Sequence, residues 1–376
     1  MKQFMIRPKI LEFEDVENFL QTFKIGKNDL VFISDRTLKK SFQGSIAEEA
    51  VIIDYRQYVK GEPTDMMVEN IAKDLEGIAY KRVFAIGGGT ILDVAKLFAL
   101  KKTTPVVELF NKELPIEKAK ELILIPTTCG TGSEVTNISI LELTAISSKF
   151  GLAVDELFAD YAVLIPELLK DLPMSVFATS SIDALIHATE SYTSPKATNF
   201  SQLYSLRAIE MILKGYQKIA AADVDKRQIV LNNEISNFLI ASTFAGIAFS
   251  NAGCAAVHAM SYPLGAVYHI PHGEANYLMF TEVYKTYQAI DPDGQIKNLN
   301  QFLSEILTCN PNHVYDVLEV LLNTIITKKK LREYGVTKND IQSFTNSVMT
   351  KQTRLMANNY VELSEKTIGT IYEKLY

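Results

Sequence analysis

Along roughly the first 165 residues, short unbroken apolar runs alternate with stretches whose apolar positions recur every three to four residues. Asp29-Leu30-Val31-Phe32-Ile33-Ser34-Asp35, Ala50-Val51-Ile52-Ile53-Asp54-Tyr55, Arg82-Val83-Phe84-Ala85-Ile86 and Glu121-Leu122-Ile123-Leu124-Ile125-Pro126 read as strands. A strand that is apolar at every position is buried on both faces. The periodic segments between these runs, such as Met66 to Leu75 and Ile91 to Leu100, supply the covering helices. Together they predict a parallel α/β sheet.

After about Pro166 the spacing becomes helical and stays so. Val176 to Tyr192, Ser201 to Ile219, Arg227 to Phe244, Ile296 to Leu307, Val314 to Ile326, Lys338 to Asn358 and Ser364 to Leu375 each fit a helix. The pattern predicts a Rossmann-like α/β domain over residues 1–168 and an all-α domain over 169–376. The basic run Lys328-Lys329-Lys330 reads as a solvated helix end.

Composition narrows the classes. Hydrophobic residues make up 47% and charged residues 22%, which excludes disordered and low-complexity chains. A net charge of −6 offers no cationic surface to nucleic acid or anionic lipid, so neither is expected as a partner. No unbroken apolar run approaches the ~20 residues of a membrane span, and the N-terminus shows no leader pattern. Three cysteines, Cys129, Cys254 and Cys309, form no CxxC pair and suit a reducing cytoplasm.

Two glycine-containing loops follow strands. Gly87-Gly88-Gly89-Thr90 ends the third predicted strand and opens a helix, where free N–H groups attract a phosphate. The run lacks the third glycine of the usual G-x-G-x-x-G fingerprint, and no acidic residue ends a strand roughly 20 residues later. Thr127, Thr128 and Thr131, around Cys129-Gly130-Thr131-Gly132-Ser133-Glu134, bring hydroxyl donors to a second loop. Asp35, at the end of the first predicted strand, can accept from both hydroxyls of an adenosine ribose and repel a 2′-phosphate, favouring NAD over NADP. It serves equally well as a turn former before Arg36-Thr37.

Asp183 and His187 stand four apart and share one helix face. That pair alone is common. However, three of the five histidines, His258, His269 and His272, crowd into one later segment. One carboxylate with several imidazoles suits Fe2+ or Zn2+ and not Ca2+ or Mg2+. A divalent ion acts as a Lewis acid on a carbonyl, and a nicotinamide supplies hydride, so the two together point to alcohol–carbonyl redox chemistry.

Four segments taken together resemble the iron-containing (group III) alcohol dehydrogenases. Gly87 to Lys96 is similar to GGGSxxDxAK, Pro126 to Glu134 to PTTxGTGSE, and Asp183 to Glu190 to DALxHAxE. Val257-His258 through Pro271-His272-Gly273 is similar to the stretch that holds the family's last two metal ligands, with the same 14-residue separation. The resemblance implies a dehydroquinate synthase-like fold, with a Rossmann-like domain and a helical domain. It assigns the metal to Asp183, His187, His258 and His272. It assigns the pyrophosphate to Gly88, Gly89 and Thr90 with Asp93 nearby, and lines the cofactor with Thr127, Thr128 and Thr131. Lys149 falls near the nicotinamide ribose and Asp35 where an aspartate marks NAD preference. A homodimer or larger homo-oligomer is implied as well.

Many members carry a histidine four residues after the third metal ligand; here Tyr262 stands there. Tyr262, or His269 in its stead, is the candidate proton relay. Within the family the segments Ser261 to Gly265, His272 to Tyr277 and Asn358-Asn359-Tyr360 are most similar to the branch that acts on 4-hydroxybutyrate, implying reversible, NADH-dependent reduction of succinate semialdehyde. A substrate with a distal carboxylate needs a cation or donors about 5–6 Å from the reacting oxygen. Arg354 is the candidate, with Asn358 and Tyr262 as donors, although a surface arginine fits the same sequence. The same motifs leave open a neutral alcohol or diol as substrate, and an NAD- and metal-dependent lyase of the dehydroquinate synthase type.

Overall fold

The computed structural model describes residues 2–58, 63–146 and 148–376. The four apolar runs lie side by side in a six-stranded, all-parallel sheet. Its strands are β1 (Lys9–Glu12), β2 (Asp29–Ile33), β3 (Val51–Ile53), β4 (Arg82–Gly87), β5 (Glu121–Pro126) and β8 (Tyr161–Leu164), ordered β1-β8-β5-β4-β2-β3. The intervening β6 (Ile138–Leu143) and β7 (Ser148–Ala153) form a separate antiparallel pair. Helices α1 (Val16–Thr22), α2 (Asp35–Ser41), α3 (Asp65–Asp74), α4 (Gly89–Phe98) and α5 (Val106–Phe110) complete this part.

The period of two sorts each strand between two cores. Leu30, Phe32, Val83, Ala85, Leu122 and Leu124 pack with Met67, Ile71 and Ala95 from α3 and α4. Val31, Ile33, Phe84, Ile86, Ile123 and Ile125 pack with Phe19, Phe23 and Phe42. The edge strand β1 and the short β8 lie outside the sequence expectation. Three of the four β1 residues are exposed, so it carries no apolar run to find.

Strand order also locates a ligand. The chain steps from β2 outward to β3, crosses back to β4 and continues to β5, so the winding reverses between β2 and β4. Doubly wound sheets bind ligands beyond the carboxyl ends of the strands at such a point. Ile33 is in register with Ile86, so Ser34-Asp35 and Gly87-Gly88-Gly89 leave the sheet as neighbours.

The chain divides into two units. The sheet unit holds residues 6–128 and 132–170; the helical unit holds 2–5, 129–131 and 171–376. Residues 129–131, in the loop after β5, group with the helices. The helical unit comprises α6 (Met174–Thr193), α7 (Asn199–Ala221), α8 (Arg227–Ala252), α9 (Ala256–Tyr268), α10 (His272–Ile290), α11 (Gln295–Leu307), α12 (Val314–Ile325), α13 (Lys338–Lys351), α14 (Thr353–Met356) and α15 (Glu365–Leu375).

Three details differ from the sequence reading. Residues 224–252, which include α8, are helical, long and apolar enough to cross a membrane by composition, although polar residues interrupt every apolar run in them. This helix packs on α6 and α7, and 61% of its apolar window is buried. The segment expected as one helix over 338–358 breaks at Gln352, whose side chain is buried, giving α13 and α14. Lys328 is not a solvated helix end. Its Nζ donates to Glu319 Oε2 and Thr281 Oγ1, each at 2.8 Å, and lies over the Tyr277 ring, because the chain after α12 folds back onto α10.

Candidate active site

In the sheet unit the two loops adjoin. Thr127 N donates to Gly87 O at 3.0 Å. A Cβ on Gly88 would lie 3.5 Å from Thr128 Cγ2. Gly87 leaves room for Ile91, whose side chain would have to shift if a Cβ stood 2.2 Å from its Cδ1. No side chain caps α4 at Gly88, so the N–H groups of its first turn, at Gly89 and Thr90, are available to an anion. Asp35 is the first residue of α2 and pairs with Lys39 at 2.8 Å on an exposed surface. Lys149 lies on β7 opposite Glu142.

The Asp93 carboxylate is held by the chain itself. It accepts from Ser133 Oγ and from Ile140 N (3.1 Å), and Lys96 Nζ lies 3.3 Å away. Lys96 is fully buried and also donates to Ser133 Oγ (2.7 Å), Thr136 Oγ1 (3.0 Å) and Ile138 O (2.7 Å). Burial pushes its pKa down while Asp93 opposes the shift. The pair ties α4 to the chain entering β6, and so fixes the loop around Ser133.

In the helical unit the expected metal residues converge. Asp183 and His187 occupy successive turns of α6; His258 is in the first turn of α9 and His272 opens α10. Asp183 Oδ1 lies 3.5 Å from His258 Nε2 and 3.7 Å from His272 Nε2, and Asp183 Oδ2 lies 3.8 Å from His187 Nδ1. Gly273 permits this approach: a Cβ there would stand 1.8 Å from Thr179 O, one turn before Asp183. His187 stacks between Phe249 (4.7 Å) and His258 (4.6 Å).

The donors fit a cation. His187 Nδ1 and His258 Nε2 are buried without a hydrogen-bond partner, an arrangement that disfavours folding unless an ion takes them up. Burial raises the Asp183 pKa, but His187, His272 and His258 together hold it well below the usual carboxylate range. One carboxylate and three imidazoles make a donor set of the kind Fe2+ and Zn2+ accept.

Three neighbours were not singled out from the sequence. Glu190 is fully buried; it receives His258 Nδ1 at 2.6 Å and Val257 N at 2.7 Å. Such a carboxylate fixes the ring so that Nε2 is left for a metal. Asn276 Nδ2 donates to Asp183 Oδ1 at 2.8 Å and lies 3.3 Å from His272 Nε2. Cys254 places its sulfur within 4.8 Å of ring nitrogens of His187 and His258. Burial raises its thiol, yet His258 and His187 outweigh burial and lower the pKa. The signals were present: Glu190 closes the motif begun by Asp183, and Asn276 stands one turn after His272.

Tyr262 reaches this cluster, with its ring 6.0 Å from that of His272. Burial raises its phenol pKa, against the charges of His258 and Arg354. Arg354 is exposed on α14, a helix that packs against α9, the helix carrying Tyr262. His269 is exposed at the left-handed C-cap of α9 and belongs to neither metal-ligating group. Asn358 Nδ2 donates to the Cys254 carbonyl at 3.1 Å and not into the cluster. Thr131 lies in the loop that adjoins α6, where a Cβ on Gly130 would meet Ser180 at 2.9 Å.

Residues 11–166 match the model of the iron-containing alcohol dehydrogenases, and residues 177–376 match that of the family's C-terminal domain. The chain belongs to the iron-containing alcohol dehydrogenase family and is an oxidoreductase. Among its relatives is 4-hydroxybutyrate dehydrogenase of Clostridium kluyveri, 46% identical over 376 residues, which are all of both chains. Long-chain-alcohol dehydrogenase 1 of Geobacillus thermodenitrificans is 32% identical, covering 94% of this chain and 91% of its own. The solved structure of sulfoacetaldehyde reductase from Bifidobacterium kashiwanohense, in complex with NAD+, shares the fold with a TM-score of 0.83. It is 21% identical, covering 100% of this chain and 98% of its own.

Proposed function

We propose that this chain is an NAD-dependent, metal-dependent 4-hydroxybutyrate dehydrogenase that reversibly reduces succinate semialdehyde. The observation that carries the reading is the 46% identity, end to end, with an enzyme named for that activity. Arg354, on the helix that packs against α9, would supply the cation that a distal carboxylate requires.

Asp183, His187, His258 and His272 would hold the ion. Fe2+ is favoured by the family, and Zn2+ satisfies the same donors. NAD would lay its pyrophosphate on the first turn of α4 at Gly88, Gly89 and Thr90 and its adenosine ribose at Asp35. Thr127, Thr128, Thr131 and Lys149 would lie along the remainder. Held by these residues, the ion would supply Lewis-acid chemistry and the reduced nicotinamide would be the hydride source. The chain's own residues do the rest. Arg354 holds the carboxylate, Tyr262 keeps its phenol proton through burial and delivers it to the product oxygen, and Glu190 and Asn276 orient His258 and Asp183. His269 has no part in this reading. Three free cysteines are in keeping with a reducing cytoplasm, where the enzyme would work as a homo-oligomer.

Kinetics of Arg354→Ala test the substrate. The KM for succinate semialdehyde should rise about 10- to 100-fold, the worth of a charge-assisted hydrogen bond, with that for butyraldehyde unchanged. An unchanged KM for the semialdehyde would remove Arg354 from the site.

A further inference from the structure

The metal cluster contains a donor that the ligand set Asp183, His187, His258 and His272 leaves out. Cys254 lies in the link between α8 and α9. Gly253 turns the chain there with a left-handed φ of 77°, and Asn358 Nδ2 anchors the Cys254 carbonyl at 3.1 Å. A Cβ on Gly253 would stand 2.6 Å from that same nitrogen, so the link is held on both sides. The thiol is 3% exposed. Its sulfur and one ring nitrogen from each of His187 and His258 all lie within 4.8 Å of one another. A second observation points the same way: each of these rings carries a buried nitrogen with no partner.

Two overlapping triads result. Asp183, His258 and His272 offer one oxygen and two nitrogens, a borderline-hard set. His187, Cys254 and His258 offer two nitrogens and one sulfur, a soft set. Thiolate ligands select thiophilic ions, whereas oxygen donors suit harder ones. We propose that Cys254 is a further metal ligand, which joins His187 and His258 around a thiophilic divalent ion such as Zn2+, Co2+ or Cd2+. Ligation replaces the thiol proton, which leaves to solvent. The inference rests on the metal-centre reading above, and it makes the identity of the bound ion decide whether sulfur enters the coordination sphere.

The test uses the full-length protein, stripped with chelator and reloaded without oxygen. With Co2+, the wild type should show the near-ultraviolet thiolate-to-cobalt charge-transfer band. Cys254→Ser should take up cobalt without the band, and Cys129→Ser and Cys309→Ser should keep it. Cd2+ affinity should fall about 10-fold or more in Cys254→Ser, at least the effect that outer-shell partners exert. A readout needing no variant is X-ray absorption of the zinc-loaded wild type, which should contain a sulfur scatterer at about 2.3 Å. A zinc shell of nitrogen and oxygen alone, or a cobalt band unchanged in Cys254→Ser, overturns the proposal and leaves the dehydrogenase reading standing. Failure of the wild type to bind any of these ions or Fe2+ overturns both.

Discussion

The Glu190 carboxylate receives His258 Nδ1 at 2.6 Å from within a fully buried position, and so leaves Nε2 of the same ring 3.5 Å from Asp183 Oδ1. The geometry makes Glu190 a positioning residue for the metal. Glu190→Gln keeps the shape and removes the charge. Metal affinity should fall about 10- to 100-fold, read by competition with a chromophoric chelator. Unchanged affinity would mean that Glu190 serves only to satisfy Val257 N.

Gly273 sets how closely α10 approaches α6. In Gly273→Ala the new Cβ meets Thr179 O and must move the helix that begins with His272. The variant should lose about 1–3 kcal/mol of stability by overpacking and bind less metal per chain. Denaturant unfolding and metal analysis check both, and full metal content would show that His272 tolerates the shift.

Lys96 should behave as a staple of the cofactor loops. Lys96→Met removes the cation beside Asp93 and leaves Thr136 and the Ile138 carbonyl without their partner. The expected loss is about 1–3 kcal/mol for buried polar groups left unsatisfied. The KM for NADH should rise as the Ser133 loop loosens. Urea unfolding and NADH titration separate the two effects.

The metal-free protein should respond to pH in a defined direction. Burial works against the charge on His187 and His258. Asp183 and Cys254 beside His187, and Cys254 and Glu190 beside His258, outweigh it, so both hold protons above the ordinary value of 6.5. Groups that bind protons more tightly when folded lend stability that is complete below the unfolded value and is lost as pH rises through the folded one. The thermal midpoint of chelator-treated protein should therefore decline above pH 6.5, the two histidines together outweighing the Cys254 thiol, whose lowered pKa works in the opposite sense. Metal affinity should climb over the same interval as protons leave the ligands. A metal-free midpoint that rises there contradicts the account.

Much of this architecture is legible in the residues. β2, β4 and β5 are apolar at nearly every position because helices or other elements cover both faces. The pairing of Asp183 with His187 follows from helix periodicity alone. The exposed edge strand β1 carries no such signature. Lys328 looked solvated because nothing local reveals that Glu319 and Thr281 will face it. Asp93 illustrates a subtler limit, since its place in a cofactor motif does not disclose that Ser133, Ile140 and Lys96 occupy its carboxylate. Cys254 is similar: four residues before His258 but outside α9, it meets His187 only because α6 and the start of α9 pack together.

The protein should be purified without oxygen, stripped, reloaded separately with Fe2+ and Zn2+, and followed by NADH absorbance with succinate semialdehyde and with butyraldehyde. The account predicts metal-dependent NADH oxidation with a kcat/KM clearly higher for the semialdehyde. Equal or faster turnover of butyraldehyde would contradict the carboxylate-binding role of Arg354 and the 4-hydroxybutyrate assignment.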